Sequence, residues 1–150
     1  MSIEKEIQQS AFRNDFQKAI VNIIFSASWL HERVKGFLAP EDITPQQYNI
    51  LRILKGSKKP ISTLEIRNRM LDKMSDTSRI VDRLVKKGLA EKKVSAADKR
   101  RVDVNISIKG ISVLNRLDEN NLQLDNILQS LTITEAASLN NLLDKMREPK

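Results

Sequence analysis

Between Pro60 and Gly110 the hydrophobic period of this chain changes from that of a helix to that of a strand. Few folds accommodate that change within fifty residues. Ser62-Thr63-Leu64-Glu65 is a capping box, with Ile61 placed as the apolar residue before the cap. The helix it opens is expected to run to about Met70 or Leu71, with a turn over Leu71–Met74. A second helix follows through Thr77, Arg79 and Arg83 to Lys87, and either Asp72 or Ser75 caps it. Its inner face is Ile80, Val81 and Leu84, and Gly88 takes the left-handed position past its end. Leu89–Val94 then reads as a strand, and Val102 to Ile108 alternates strictly. Ser95 to Arg101, between them, is polar and basic and forms an exposed hairpin tip. Asp103 is expected to place its face of the returning strand in solvent. The predicted fold class is mainly α with a small β-hairpin wing: a winged helix-turn-helix.

Long helical patterns flank this core. Phe12, Phe16, Ile20, Ile23, Ala27, Leu30 and Val34 recur at steps of three and four, predicting one helix over 9–38. Val21, Ile24, Phe25 and Trp29 form a second apolar face, so the helix is expected to touch both its own core and a partner subunit. Thr44-Pro45-Gln46-Gln47 opens another capped helix, with Tyr48, Leu51, Ile53 and Leu54 buried and Gly56 at its end. Ser107 is placed to cap a long helix through Ile111, Leu114, Leu117, Leu124, Ile127 and Leu128. Thr132-Ile133-Thr134-Glu135 starts a last one with Ala136, Leu139, Leu142, Leu143 and Met146 inward. We read 1–150 as a single domain, with a lobe over 44–107 and helical arms over 9–38 and 108–147.

Charge narrows the function. From Lys58 to Arg101 fourteen Lys and Arg face six acids, so this stretch carries +8 while the whole chain carries +7. A surplus confined to one module fits either a solvated basic face or a polyanion partner, with double-stranded DNA first among polyanions. With no cysteine there are no disulfides and no thiolate metal sites. His31 is the single histidine, an ordinary helix-surface or partly buried residue, and no metal site or cofactor is expected. The polar start MSIEKEIQQS and the lack of a membrane-length apolar run point to the cytoplasm. Gly36, Gly56, Gly88 and Gly110 all fall at helix ends or junctions, leaving none for a phosphate cradle. With no nucleophile–base arrangement either, an enzyme is not expected.

A recognition helix of this kind can lie in the major groove. Ser75, Asp76, Thr77, Ser78 and Arg79 are expected on its exposed N-terminal half, with short hydroxyls and one Arg suited to base edges. Arg83, one turn on, is placed for a phosphate. The plainer alternative is that Arg79 and Arg83 pair with Asp76 or Asp82 on the helix surface. At the hairpin tip, Asp98 is expected to hold and aim the Arg100 guanidinium into a minor groove, with Lys99 and Arg101 on phosphates. A solvated basic turn is the alternative there. For the whole chain the competing reading is a winged-helix module for protein contacts without sequence-specific DNA binding.

Several segments resemble the MarR family of winged helix-turn-helix transcription regulators. They are Thr44-Pro45-Gln46-Gln47-Tyr48, Ser78 to Leu84 with Lys87-Gly88-Leu89, Asp98-Lys99-Arg100, Ile106 to Gly110, and Leu142 to Met146. The resemblance implies a homodimer joined by the N- and C-terminal helices. It implies one recognition helix in a major groove and one wing in the flanking minor groove per subunit. Two-fold symmetry then calls for a pseudo-palindromic site with half-sites about one turn apart. It further implies a repressor released by a small phenolic or anionic ligand bound between the dimer region and the DNA-binding lobe. Trp29, His31, Arg33 and Tyr48 are candidates for that cleft, with Trp29 and Tyr48 alternatively core or interface aromatics. The family's peroxide sensors use a cysteine, which this chain lacks.

Overall fold

The computed structural model describes residues 1–149. The chain divides into two compact units, one ending at Glu119 and the other starting at Asn120.

In the first unit, α1 (Ile3–Glu6) is a single turn that the sequence pattern does not announce. Gln8 then takes a left-handed conformation at φ 54°, which interrupts any helix there. The long helix α2 runs Asp15–Leu38, so it starts six residues later than the apolar stripe suggests. Asn14 causes the later start: its side chain accepts the Gln17 N–H at 2.9 Å, while the Gln17 side chain accepts the Arg13 N–H at 2.6 Å. Phe12 therefore precedes the helix. A 3₁₀ turn (Ala39–Glu41) leads to α3 (Pro45–Ser57), which opens with the expected capping box of Thr44 and Gln47. Gly56 does not end α3; the left-handed position falls on Lys58, at φ 57°.

β1 (Ile61–Ser62) is a short strand, unforeseen, that leads directly into α4 (Thr63–Arg69). Ser62 and Glu65 form the capping box of α4, and Ile61 and Ile66 are both buried as a hydrophobic staple requires. After the turn come α5 (Thr77–Lys86), β2 (Ala90–Val94) and β3 (Val102–Ile106). The hairpin therefore supplies two strands of a three-stranded antiparallel sheet in the order β1-β3-β2, with β3 central. Ile61 pairs with Val104 and Ser62 with Asp103, while Lys93 faces Asp103 from the other side. Leu38, Ile50, Leu51, Ile66, Met70, Val81, Leu84, Val104 and Leu114 fill the centre and are almost fully buried.

Ser107 caps α6 (Ile108–Asp118) as expected. The helix does not continue to Leu128. It stops at Asp118, Asn120 adopts φ −109° and ψ 17°, and the second unit begins with α7 (Asn121–Asp125) and a 3₁₀ turn over Asn126–Leu128. Asn competes for backbone hydrogen bonds through its own side chain, and two in succession weaken the helical pattern. Thr132 and Glu135 then form the predicted capping box of α8 (Ile133–Met146). None of its residues is buried: Ile133 is 91% exposed, Leu142 65% and Met146 54%. The side chains expected inward on α8 thus lack a cover.

Candidate nucleic-acid interface

Asp76 caps α5: its Oδ1 accepts the Arg79 N–H at 3.2 Å. Neither Asp72 nor Ser75 has that role. Asp72 shapes the turn before it, accepting the Met74 N–H at 3.0 Å. The Ser75 side chain and the Met74 N–H together hold the Asp72 carboxyl below its ordinary range. Val81 and Leu84 anchor the inner face of the helix. The outer face presents Ser78, Arg79 and Arg83, all exposed.

Thr77 departs from the expected set. It is only 4% exposed and turned into the protein, and its hydroxyl has no hydrogen-bond partner. As the first helical residue after the cap it lies on the buried stripe with Val81 and Leu84. Ser75 is half-buried. The Arg79 guanidinium approaches Asp76 at 3.7 Å but stays 72% exposed, a loose surface pair that leaves it available. Asp82 pairs with Lys92 and so joins the outer side of α5 to β2.

Hydrogen bonds within the wing tip fix its backbone. Ser95, buried, donates its N–H to the Arg101 carbonyl at 2.9 Å, and the Arg101 N–H returns to the Asp98 carbonyl at 3.0 Å. Asp98 Oδ1 accepts the Arg100 backbone N–H at 2.9 Å. The carboxylate therefore folds the turn and does not grip the Arg100 guanidinium. Two residues ahead of that N–H, Asp98 is ideally placed to close an Asx turn. Lys99 and Arg100 remain exposed at the tip.

Arg101 behaves differently. Its Nε donates to Asp103 Oδ1 at 2.8 Å and its Nη2 reaches Glu65 Oε2 at 3.3 Å. Both carboxylates raise the pKa of the guanidinium, Asp103 most. The Asp103 side chain is only 16% exposed, so the solvent-facing position expected for it is not what the fold provides. Pairing with Arg101 compensates its charge.

The wing is tied to the helices on either side at one junction. The Ser107 hydroxyl donates to the Gly88 carbonyl at 2.6 Å and accepts the Gly110 N–H at 3.0 Å. Gly88 has φ 73°. A Cβ on Gly110 would collide with the Leu89 carbonyl oxygen and lie 2.8 Å from Ile106 Cγ1. Gly88 is needed for its left-handed backbone and Gly110 for close backbone approach.

Of the four residues proposed for a ligand cleft, Trp29 and Arg33 touch each other, and the cleft that His31 lines includes none of the other three. Arg33 stacks on Trp29 with its guanidinium carbon 5.1 Å from the ring centre, and Arg52 on Tyr48 at 5.0 Å. His31 alone lines a cleft of about 400 Å3, with Lys35, Asp42, Thr44, Gln46 and Lys87. Lys87 also donates to the Asp42 carbonyl. Asp42 is held there by a left-handed conformation, φ 51°, after the 3₁₀ turn. Pro40 and the Asp42-Ile43-Thr44 run carried a signal of that turn, but nothing in sequence spacing linked it to Lys87. Among the described residues no group of three or more His, Cys, Asp or Glu could hold a metal ion, and no helix is long and apolar enough to cross a membrane.

The sequence profile of the MarR family matches residues 41–101. No curated protein matches the chain as a relative. Among solved structures, a MarR mutant from E. coli complexed with operator DNA superimposes with a TM-score of 0.81 at 24% identity, covering 93% of this chain and 100% of that one. The apo wild-type MarR from E. coli gives 0.68 at 25% identity, over 84% and 94%. The organohalide-sensing RdhR transcriptional regulator in its 2,4-dichlorophenol-bound form gives 0.81 at 22% identity, over 93% and 85%.

Proposed function

We propose that this chain is a homodimeric, sequence-specific regulator of transcription of the MarR winged helix-turn-helix kind, a reading supported by the match over residues 41–101 and by the likeness of its fold to the operator-bound MarR mutant. The observation that carries this reading is the coincidence of charge and shape. The +8 stretch contains both α5, with Ser78, Arg79 and Arg83 outward, and a wing tipped by Lys99 and Arg100. Ser78 and Arg79 read base edges in the major groove, Arg83 meets a phosphate, and Arg100 enters the minor groove. Asp76 acts as the helix cap beside the base-reading side chains, Asp98 as the builder of the wing turn. Ser75 borders the groove between α4 and α5.

A second copy of the chain is the partner. On α2, Phe16 is 81% exposed, Ile20 58% and Ile24 63%, and α8 buries nothing. Apolar faces of that extent on two long helices call for a cover. The dimer presents two reading helices to a pseudo-palindromic operator. In this reading the protein works in the cytoplasm as a repressor. A small anionic effector releases it, bound in the cleft where His31, Lys35 and Lys87 converge near the N-terminus of α3.

Fluorescence anisotropy on a duplex selected from a random pool tests the reading. Affinity should fall steeply as salt rises, with a linear log–log slope reflecting several released counterions, and a scrambled duplex should bind far more weakly. Salt-insensitive or sequence-blind binding would overturn it.

A further inference from the structure

Arg101 lies in the basic tip of the wing and would ordinarily be counted with Lys99 and Arg100 as a phosphate contact. Its surroundings argue otherwise. The guanidinium is shared between Asp103 on β3 and Glu65 on α4, at 2.8 and 3.3 Å. The same Glu65 Oε2 accepts the Ser62 N–H at 2.9 Å and so closes the cap of α4. Ser62 in turn pairs with Asp103 across the sheet. The Arg101 backbone closes the tip through Ser95 and Asp98. One residue therefore connects the wing turn, the central strand and the start of the first helix of the helix-turn-helix, and two carboxylates neutralise its own charge.

We propose that Arg101 is a positioning residue, clasped by Asp103 and Glu65, that sets the direction in which the wing presents the neighbouring Arg100 to DNA. The clasp rests on the DNA-binding reading above and adds a specificity device to it. Asp103 lies on the central strand of the sheet, and its side chain is only 16% exposed. A charge so placed is costly unless its partner is needed. Arg100 itself has no side-chain partner in the turn that aims it, since Asp98 is engaged with its backbone N–H. The wing frame supplies the aim.

Removal of the Asp103 charge distinguishes the two roles by sign. Asp103→Asn removes a negative charge near the phosphates, so if Arg101 were a phosphate contact the variant would bind tighter, with a steeper salt slope. The clasp predicts the reverse: about tenfold weaker binding to a selected site with A·T flanks, and a loss of the preference over G·C flanks. Arg101→Met should weaken that site similarly while leaving the salt slope unchanged, and adding Asp103→Asn to it should cost nothing further. Lys99→Ala, by contrast, should reduce the slope by about one. Thermal melts establish that each variant is folded, and binding of a non-selected duplex should be unaltered in Arg101→Met. Tighter binding by Asp103→Asn, or a slope lowered by about one in Arg101→Met, overturns the clasp alone. A wild-type chain without salt-dependent duplex binding overturns the DNA reading and the clasp with it.

Discussion

The capping side chains of this chain act on backbone groups within one helical turn of themselves. The Thr44, Ser62, Ser107 and Thr132 caps follow from spacing alone, because each bonds within three residues of itself. Thr77 carries the same kind of hydroxyl, yet the phase of α5 turns it inward, and a one-residue change in where the helix starts decides that phase. Asp98 and Arg101 are the counterpart in the wing. Proximity in sequence suggested a side-chain grip by Asp98, but the tight turn gives its carboxylate a nearer backbone donor. Arg79 remains exposed and only loosely paired, so Arg79→Ala should weaken the preferred site by roughly 1–3 kcal/mol and relax base preference. Binding to a panel of single-base operator variants checks this, and an unchanged profile would remove Arg79 from base readout. Gly110→Ala should destabilise the fold by about 1–3 kcal/mol, because the new methyl meets the Leu89 carbonyl. Urea denaturation measures that loss; a change near zero would mean that the junction yields freely.

At the scale of elements, helix existence and type were readable, and their ends less so. The apolar stripe of α2 extends back to Phe12, but hydrophobic periodicity carries no information about where Asn14 halts the backbone. β1 was invisible because two residues are too few to show alternation, and only pairing with β3 defines it. The end of α6 was missed for a similar reason. What holds its last turn is tertiary: the Arg52 guanidinium donates to both Asp118 oxygens and to the Tyr48 hydroxyl from α3. Lys55 approaches the same carboxylate at 3.6 Å, and Arg116 forks onto Glu41 at 2.8 and 2.7 Å. Arg52 is the largest cause that holds Asp118 below the usual value of 3.8. A carboxyl depressed in the folded state adds stability above its unfolded pKa, and that stability is lost as pH falls through the folded one. Asp118→Asn should therefore lower stability near neutrality, by about 1 kcal/mol at this degree of exposure, and the gap to wild type should close as pH falls below about 4. Denaturant melts across that range read it, and a gap independent of pH would assign the loss to packing.

At the scale of the whole molecule, an incompletely covered surface is the main finding. The sequence pattern offered two apolar faces on the first long helix, expected to meet its own core and a partner subunit, and one on the last. The first unit has a buried core that runs from Leu38 to Leu117, whereas α8 has no buried residue. A dimer that covers these faces should melt at a temperature that rises with protein concentration. Leu142→Lys should lower that temperature and shift sedimentation toward the monomer; a concentration-independent melt at monomer mass would sink the homodimer. The junction at Ser107 bears on how such proteins can be recombined. One hydroxyl spans Gly88 and Gly110, and a methyl at Gly110 is excluded by Leu89. A chimera that grafts a foreign reading helix or wing onto these arms must therefore transplant 88–110 as one block, because a crossover inside it would separate three backbone segments that fit only one another.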